Sequence, residues 1–270
     1  MTSRTEAALA LAGALALLIG ASPSLASPAE LVELLAGEYD NNEQVWQQSV
    51  DGEPQDPRRH WLFRRHGPSG LELALGRGQA APDSPAWTLS FSQRAGGIVS
   101  EVLGAAVCRY RWRERHGGYE GRAAEDCPGL PAEFRVDPEW LTASWRGESG
   151  ERVERARRAR HYNGWVALQR QRLDPSAVPD DYVFLRAVRW HNEGFVLPVL
   201  DGDRPTGYAI ELARLTYQNT RTAVLKLGVV DLATGETLAY SWAEPGASRI
   251  GINLRWIQAG LTREASGAAR

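Results

Sequence analysis

Short runs of residues, bounded by glycine, proline, aspartate and asparagine, make up most of the chain after residue 59. The runs are about five to ten residues long, which is the usual length of a β-strand. No helical segment of the length that parallel strands need lies between them, so the pattern favours an antiparallel sheet or barrel. The runs predicted as strands are 60–66, 70–75, 86–93, 107–113, 133–136, 141–145 and 165–171, followed by 182–190, 194–200, 207–217, 222–231, 236–242 and 250–256.

One helix is predicted before the strands begin. Leu31, Leu34 and Leu35 follow a spacing of three to four residues, which places them on one helix face. A serine–proline pair shortly before them is a favourable helix start. The pattern therefore predicts a helix over residues 28–46.

The first 26 residues have the organisation of an export signal. Arg4 provides the positive start, residues 7–21 are apolar, and small residues provide a cleavage site after Ala26. The apolar run has about fifteen residues, which is short of the roughly twenty that span a bilayer. The sequence thus predicts a periplasmic or secreted protein with no membrane span in the mature chain.

The chain has only two cysteines, Cys108 and Cys127. An even number of cysteines behind an export signal favours an intrachain disulfide in an oxidising compartment. In the chain-entropy model, closing a loop of about 20 residues stabilises the fold by roughly 3 kcal/mol. With both thiols bonded, a cysteine nucleophile is not expected.

The charge balance does not point to nucleic acid. The formal net charge is −2, and the chain contains 10 tryptophans, which we expect mostly in the core or in a barrel wall. A run of arginines at 152–160 is either a patch for phosphate or carboxylate groups or, as the favoured alternative, a solvated hairpin or short helix face.

Known catalytic motifs are missing from the sequence. The chain has no nucleophile elbow, no phosphate-binding loop and no zinc-protease motif. Its five histidines show no pair at metal-ligand spacing on a predicted helix, so no metal site is expected. Hydrolase chemistry is therefore not supported.

Three segments together carry a family resemblance. Residues 34–44 read Leu-Leu-Ala-Gly-Glu-Tyr-Asp-Asn-Asn-Glu-Gln, and residues 141–147 read Leu-Thr-Ala-Ser-Trp-Arg-Gly. Between them, residues 108–128 contain Cys-x-x-x-Trp, then Tyr-x-Gly, then Cys-Pro. In order and spacing these segments resemble the CpcT/CpeT family of phycobiliprotein chromophore lyases, over about residues 30–171. Where the family's last motif has an aspartate, this chain has Trp145 directly before Arg146.

The resemblance implies an antiparallel, lipocalin-like β-barrel that cradles an open-chain tetrapyrrole, a bilin. Proteins of this family help attach the bilin to a cysteine of a phycobiliprotein. The implied ligand is therefore a linear tetrapyrrole, and the implied activity is that of a chromophore lyase. No other cofactor is implied.

Four candidate ligand residues have a structural alternative. Asn41 and Gln44 lie three residues apart, so they would share a face at the end of the predicted helix. They would either bind a ligand carboxylate or lactam at the barrel mouth, or cap the helix and fix the following turn. Trp112 and Tyr119 would be either stacking surfaces for a ligand or ordinary core and barrel-wall residues.

Trp145 and Arg146 complete the set of candidate ligand residues. They would offer a flat wall and a cation to a ligand that carries a propionate, since arginine pairs with carboxylates through two parallel hydrogen bonds. The alternative is a structural arginine that bridges neighbouring strands. No catalytic residue is identified among these candidates.

The predicted organisation is a signal peptide at 1–26, a CpcT/CpeT-like barrel at 27–172 and a β-rich C-terminal region at 173–266. The last region is either a second small domain or a set of strands added to the first. Three functions remain open: a bilin-handling protein with or without lyase activity, a non-catalytic carrier of another amphipathic small molecule, and an envelope interaction module. In the last case a protein partner would dock on the C-terminal region.

Overall fold

The computed structural model describes residues 27–147, 150–217 and 219–265. The predicted export signal at 1–26 lies outside these residues. Within the described part of the chain, neither helix has the length and apolar character that a membrane crossing requires.

Ten antiparallel strands close into a barrel, as predicted. Each strand pairs with its neighbour in sequence, and β1 closes the barrel by pairing with both β2 and β10. The strands are β1 (Gly37–Asp40), β2 (Arg59–Arg65), β3 (Gly70–Arg77), β4 (Trp87–Arg94), β5 (Gly97–Leu103), β6 (Val107–Arg115), β7 (Gly118–Ala123), β8 (Glu133–Val136), β9 (Trp140–Gly147) and β10 (Gly150–Arg158).

The single predicted helix over residues 28–46 is wrong. The chain instead forms α1 (Pro28–Leu35), then strand β1, then α2 (Asn42–Asp51). Gly37, with a φ of +140°, turns the backbone out of the helix. The residues after it gain sheet hydrogen bonds on both sides, whereas a short helix without tertiary packing is only marginally stable in water.

Aromatic side chains fill the interior of the barrel. Trp61, Trp112 and Phe134 are buried, and the centroids of the Trp112 and Phe134 rings lie 6.1 Å apart. The indole of Trp61 donates to the buried Glu154, and the indole of Trp112 donates to Ser100 at 2.9 Å. Helix α1 contributes further to the same core through its buried face, which consists of Leu31, Val32 and Leu35.

The predicted disulfide is confirmed between Cys108 on β6 and Cys127 after β7, whose Cα atoms lie 5.7 Å apart. The motif residues between them have a structural role. Trp112 is the cross-strand partner of Gly121, and a Cβ atom at Gly121 would lie only 2.6 Å from the indole ring. The glycine therefore provides the space in which the tryptophan packs.

The predicted β-rich C-terminal region is confirmed as two four-stranded sheets around a second hydrophobic core. One sheet has the strand order β12-β11-β18-β17, and the other has the order β13-β14-β15-β16. The elements are β11 (His161–Gln169), a 3₁₀ turn (Pro179–Asp181), β12 (Tyr182–His191), β13 (Glu193–Asp201), β14 (Arg204–Tyr217), β15 (Thr222–Asp231), β16 (Thr237–Ala243), β17 (Arg249–Asn253) and β18 (Ile257–Arg263).

The observed strand pairing corrects two sequence predictions, the domain boundary and the arginine run. The boundary after residue 172 assigned the strand near 165–171 to the barrel, whereas β11 pairs with β12 and β18. The arginine run at 152–160 is mostly strand β10, which pairs with β9 as an antiparallel hairpin and with β1 to close the barrel, so the helix-face alternative is wrong. Its alternating burial places Glu154 and Ala156 inside the barrel wall.

Candidate functional site

Strand β1 carries two acidic side chains on the outer surface of the barrel. Successive side chains of a strand point to opposite faces, so Glu38 and Asp40 lie opposite Tyr39. Tyr39 is buried in the barrel core, which places both carboxylates outside it. Asp40 is the cross-strand partner of His60 on β2. The pairing therefore brings an imidazole to the same outer surface.

The C-terminal region covers this surface with a second cross-strand pair. His161 begins β11 and His191 ends β12, and the two residues are partners in the ladder. The His191 ring lies 4.9 Å from the His60 ring and 6.2 Å from the His161 ring, measured between centroids. Two strand ladders thus gather three histidines and two carboxylates where the barrel meets the C-terminal sheets.

His60 is held between the two carboxylates. Its Nδ1 lies 3.0 Å from Asp40 Oδ2, and its Nε2 lies 3.1 Å from Glu38 Oε2. Burial alone would lower the pKa of His60, but the hydrogen bonds to Asp40 and Glu38 raise it to about 9. In the absence of other ligands this histidine is therefore an imidazolium at neutral pH.

Glu38 is shared by two histidines. The same Oε2 atom that contacts His60 lies 3.2 Å from His161 Nε2. Burial opposes ionisation of this carboxyl, yet hydrogen bonds from His161 and His60 hold the pKa of Glu38 well below its usual range. Glu38 is thus a carboxylate at any pH at which the protein is expected to function.

Asp40 is fully buried and fixed by a guanidinium. Arg58 Nε and Nη2 each lie 3.1 Å from an Asp40 oxygen, and the backbone N–H of Asn42 donates to Asp40 Oδ1 at 2.8 Å. Arg58 also donates to the backbone carbonyl of Gly194 at 2.8 Å and to that of Glu193. The arginine therefore links the barrel to the start of β13.

His191 is neutral and has a fixed tautomer. Its Nε2 donates to the backbone oxygen of Gln79 at 2.9 Å, while its Nδ1 accepts from the backbone N–H of Glu193 at 3.2 Å. Burial, together with the charge of the neighbouring His60, lowers the pKa of His191 to about 4. Both ring nitrogens are occupied, so His191 acts as a wall of the site.

A cavity of about 200 Å³ opens beside these residues. It combines the histidine and carboxylate groups with an apolar wall and with Arg189, whose guanidinium is paired to Glu264 at 2.7 Å. We call this cavity the histidine cleft. Its lining residues are Glu38, His60, Leu62, Gln79, Ala80, Ala81, His161, Arg189, Trp190, His191 and Phe195.

Comparison with protein-family models and with curated proteins finds no match to the chain. Among solved structures, the chain is similar to the T-type phycobiliprotein lyase CpeT from Prochlorococcus phage P-HM1, with 16% sequence identity and a TM-score of 0.37. The similarity covers 48% of this chain and 96% of that chain. At this level it assigns no role to any residue.

A second buried charge cluster lies next to the cleft and joins the two parts of the molecule. Arg157 Nη1 lies 3.4 Å from Glu43 Oε2 and 3.7 Å from Glu193 Oε2. Burial raises the pKa of Glu193 well above its ordinary value, although Arg157 opposes this shift. Glu43 also accepts from the backbone N–H of Thr216 at 3.0 Å. These contacts fasten α2 and β10 to β13 and β14.

The predicted ligand residues Asn41 and Gln44 make contacts within the protein. Asn41 donates to the Pro57 carbonyl at 3.1 Å, and its side-chain oxygen accepts from the Arg59 backbone at 2.7 Å. Gln44 donates to Asp56 at 2.9 Å, among other contacts. Both side chains therefore hold the segment before β2 in place, and a ligand role for them stays a prediction.

Trp112 and Tyr119 are buried, and Tyr119 reaches Glu30 at 3.4 Å through its hydroxyl group. Trp145 is half-buried at the barrel rim, where the guanidinium of Arg152 lies 4.2 Å from its ring centroid. Arg146 is exposed. The structure does not place these residues in the histidine cleft, and their predicted role in ligand binding stays untested.

The cluster was not predicted from the sequence, because its histidines come from three distant segments. A local signal existed only for the carboxylates, since Glu38 and Asp40 alternate around an apolar tyrosine.

A predicted protein partner on the C-terminal region also stays a prediction. The exposed side chains there include Tyr240 and Trp242 of β16, which are 56% and 50% exposed.

Proposed function

We propose that this protein is a non-catalytic binding protein that takes a small ligand in the histidine cleft, with the barrel as its scaffold. The observation that carries the proposal is the contrast between the barrel core and the histidine cleft. The barrel core is occupied by its own aromatic side chains, whereas the cleft is open and gathers Glu38, His60 and His161. A pocket with a few convergent polar groups and shifted pKa values is the expected form of a binding site.

The chemistry of the cleft limits its ligand. At about 200 Å³ the cavity is smaller than the roughly 300 Å³ at which typical small-molecule pockets begin. A ligand is therefore small, or it inserts only one end. Leu62 and Phe195 supply an apolar wall, and His161 and Arg189 supply polar groups. This combination suits an amphipathic molecule with a polar or acidic end group.

A bilin meets these requirements through one end only. In this proposal a pyrrole ring and its propionate enter the cleft, and the rest of the tetrapyrrole lies on the protein surface around the opening of the cleft. Binding is non-covalent, because both cysteines of the chain are in the disulfide. Lyase activity would also require transfer of the bound bilin to a cysteine of another protein, and the proposed function does not include this step.

An absorbance titration with biliverdin, with haem as a competitor, tests this function. The protein is titrated in the presence of a metal chelator, together with the variants His161→Ala and Arg146→Ala. His161 lines the cleft, while Arg146 is exposed at the end of β9, so the pair distinguishes the two locations. We expect a saturable, red-shifted complex that the His161 variant weakens several-fold and the Arg146 variant leaves unchanged.

Two results would refute the proposal that the cleft binds a bilin. A titration without a saturable complex would remove the bilin class from consideration. A complex weakened by Arg146→Ala and untouched by His161→Ala would move the site to Trp145 and Arg146, which the sequence predicts as ligand residues. Far-ultraviolet circular dichroism of each variant checks that the fold is intact.

A further inference from the structure

The arginine of the histidine cleft is bound to a carboxylate of the protein itself. Arg189 lines the cavity, and its Nε and Nη2 donate to the two oxygens of Glu264 at 2.7 and 3.1 Å. We propose that Arg189 selects a ligand that carries a carboxylate, and that Glu264 is a built-in competitor which the ligand carboxylate replaces. The inference rests on the proposed function, because it names the ligand class of the same site.

The strand register places Arg189 on the cleft side of its sheet. Asn163 is its cross-strand partner, and His161 pairs with His191 two residues further along the same ladder. Side chains two residues apart on a strand share a face, so Arg189 and His191 project to the same side. Trp190, which lies between them in sequence, is buried in the second core. The guanidinium of Arg189 therefore lies on the side of the sheet that faces the barrel.

Glu264 follows the last strand and is held beside the cleft. Its backbone N–H donates to the carbonyl of His161 at 2.9 Å, and Asn163 Nδ2 donates to its Oε1 at 2.8 Å. Hydrogen bonds from Arg189 hold the pKa of Glu264 below its ordinary value, although burial opposes this shift. At neutral pH the arginine of the cleft is thus paired with an ionised carboxylate.

The geometry of this pair shows which chemical group Arg189 accepts. Two parallel N–H···O bonds from the planar guanidinium match the two oxygens of a carboxylate. The charge on both partners makes these bonds stronger than bonds to a neutral acceptor such as an ester. A ligand carboxylate can take the place of Glu264 with the same two bonds, whereas its ester cannot.

The exchange of one carboxylate for the other is not costly, because the pair is partly in contact with water. The side chain of Arg189 is 48% exposed, and that of Glu264 is 17% exposed. An exposed ion pair of this kind changes an equilibrium constant by at most about fivefold. Glu264 therefore weakens the binding of an acidic ligand by a small factor and does not prevent it.

The other fixed cation of the cleft is already neutralised. His60 lies 3.1 Å from Glu38 and 3.0 Å from Asp40, so a ligand carboxylate placed there would meet two like charges. Among the described residues that line the cleft, Arg189 is the only arginine. The carboxylate of a ligand is therefore directed to Arg189.

The experiment is a pair of absorbance titrations of the full protein, one with biliverdin and one with its dimethyl ester, which lacks free carboxylates. The variants are Arg189→Met, Glu264→Gln and the two combined. Asp201→Asn is the matched control, because Arg170 donates to Asp201 through the same two nitrogens at 2.8 and 3.1 Å and is also 48% exposed. Neither residue of the control pair lines the cleft.

We expect the unchanged protein to bind biliverdin more tightly than the ester. Arg189→Met should weaken biliverdin binding roughly tenfold and leave the dissociation constant of the ester unchanged, which removes the preference for the acid. Glu264→Gln should tighten biliverdin binding about two- to fivefold without an effect on the ester. In the Arg189→Met background this gain should fall below about twofold, because the competition needs the arginine. Asp201→Asn should change neither titration.

Three outcomes would overturn the inference while the proposed function stands. These are equal dissociation constants for the acid and the ester, a preference for the acid that survives Arg189→Met, and a loss of biliverdin binding in Glu264→Gln as large as that in Arg189→Met. The last result would make the pair a structural tie between two strands. If neither probe forms a saturable complex, the proposed function and the inference fail together.

Discussion

The contact between Trp112 and Gly121 yields a quantitative prediction for the change Gly121→Ala. Gly121 has ordinary strand geometry, so its backbone would accept an alanine without strain. The added Cβ atom, however, would lie 2.6–2.7 Å from three carbon atoms of the Trp112 ring. Ordinary van der Waals contact begins at about 3.4 Å, so the ring must move by nearly 1 Å.

The expected loss follows from the surroundings of the ring. Overpacking a close-packed core costs about 1–3 kcal/mol. A shifted indole would also weaken its hydrogen bond to Ser100, worth about 1 kcal/mol, because the acceptor is buried. The smaller entropy of the unfolded alanine chain offsets about 0.4–1 kcal/mol of this. We therefore expect Gly121→Ala to lower the free energy of unfolding by about 1–3 kcal/mol.

Urea unfolding followed by tryptophan fluorescence and circular dichroism measures this loss. The matched control is Gly147→Ala on β9, where the nearest atom to an added Cβ is 3.9 Å away. The control should change the free energy of unfolding by less than about 1 kcal/mol. In the Gly121→Ala background, Trp112→Phe removes the clashing part of the ring, so the double variant should recover about 1 kcal/mol relative to additivity. Equal effects of the two alanine variants would refute the reasoning.

Three further predictions concern the stability of the fold. In the presence of a chelator, His60 contributes fully to the free energy of unfolding below pH 6.5, and this contribution of about 3 kcal/mol is lost as the pH rises towards 9. The contribution of the neutral His191 to the free energy of unfolding has the opposite pH dependence, because it is lost as the pH falls from 6.5 towards 4. Urea unfolding across pH 4–9 checks both signs, and a flat profile would contradict them. Replacing Cys108 and Cys127 by serine should cost about 3 kcal/mol in urea unfolding and leave biliverdin binding unchanged, since the disulfide belongs to the barrel. Arg58→Met removes both hydrogen bonds that the guanidinium donates to the buried Asp40 and leaves His60 as the cation beside it. We therefore expect a loss of about 3 kcal/mol by thermal unfolding, and a loss below 1 kcal/mol would contradict this.

Much of the barrel was predictable from sequence, because its strands carry their own signals. The runs at 133–136 and 222–231 match observed strands residue for residue. Strand β1 was not predictable in this way, since four residues become a strand only through pairing on both sides. The arginine-rich β10 was missed for a related reason. Its outward side chains face water or the C-terminal region, so its composition does not resemble that of a buried strand.

The candidate site was largely beyond prediction from a single sequence. His60, His161 and His191 have no common local spacing, and only the docking of the C-terminal sheets on the barrel brings them together. The cysteine, tryptophan and glycine motif was visible in the sequence, but its meaning required the strand register. Trp112 and Gly121 are nine residues apart in the chain and direct partners across two strands.

The filled barrel has a consequence for how such a chain can change over time. Residues such as Trp61 and Phe134 are constrained by the packing of the barrel core. The proposed ligand site instead depends on a few outward side chains of two barrel strands and on the C-terminal sheets. Selection on stability and selection on binding therefore act on different positions. A chain of this design can acquire a new ligand by substitutions around the histidine cleft alone, without a change in the interior of the barrel.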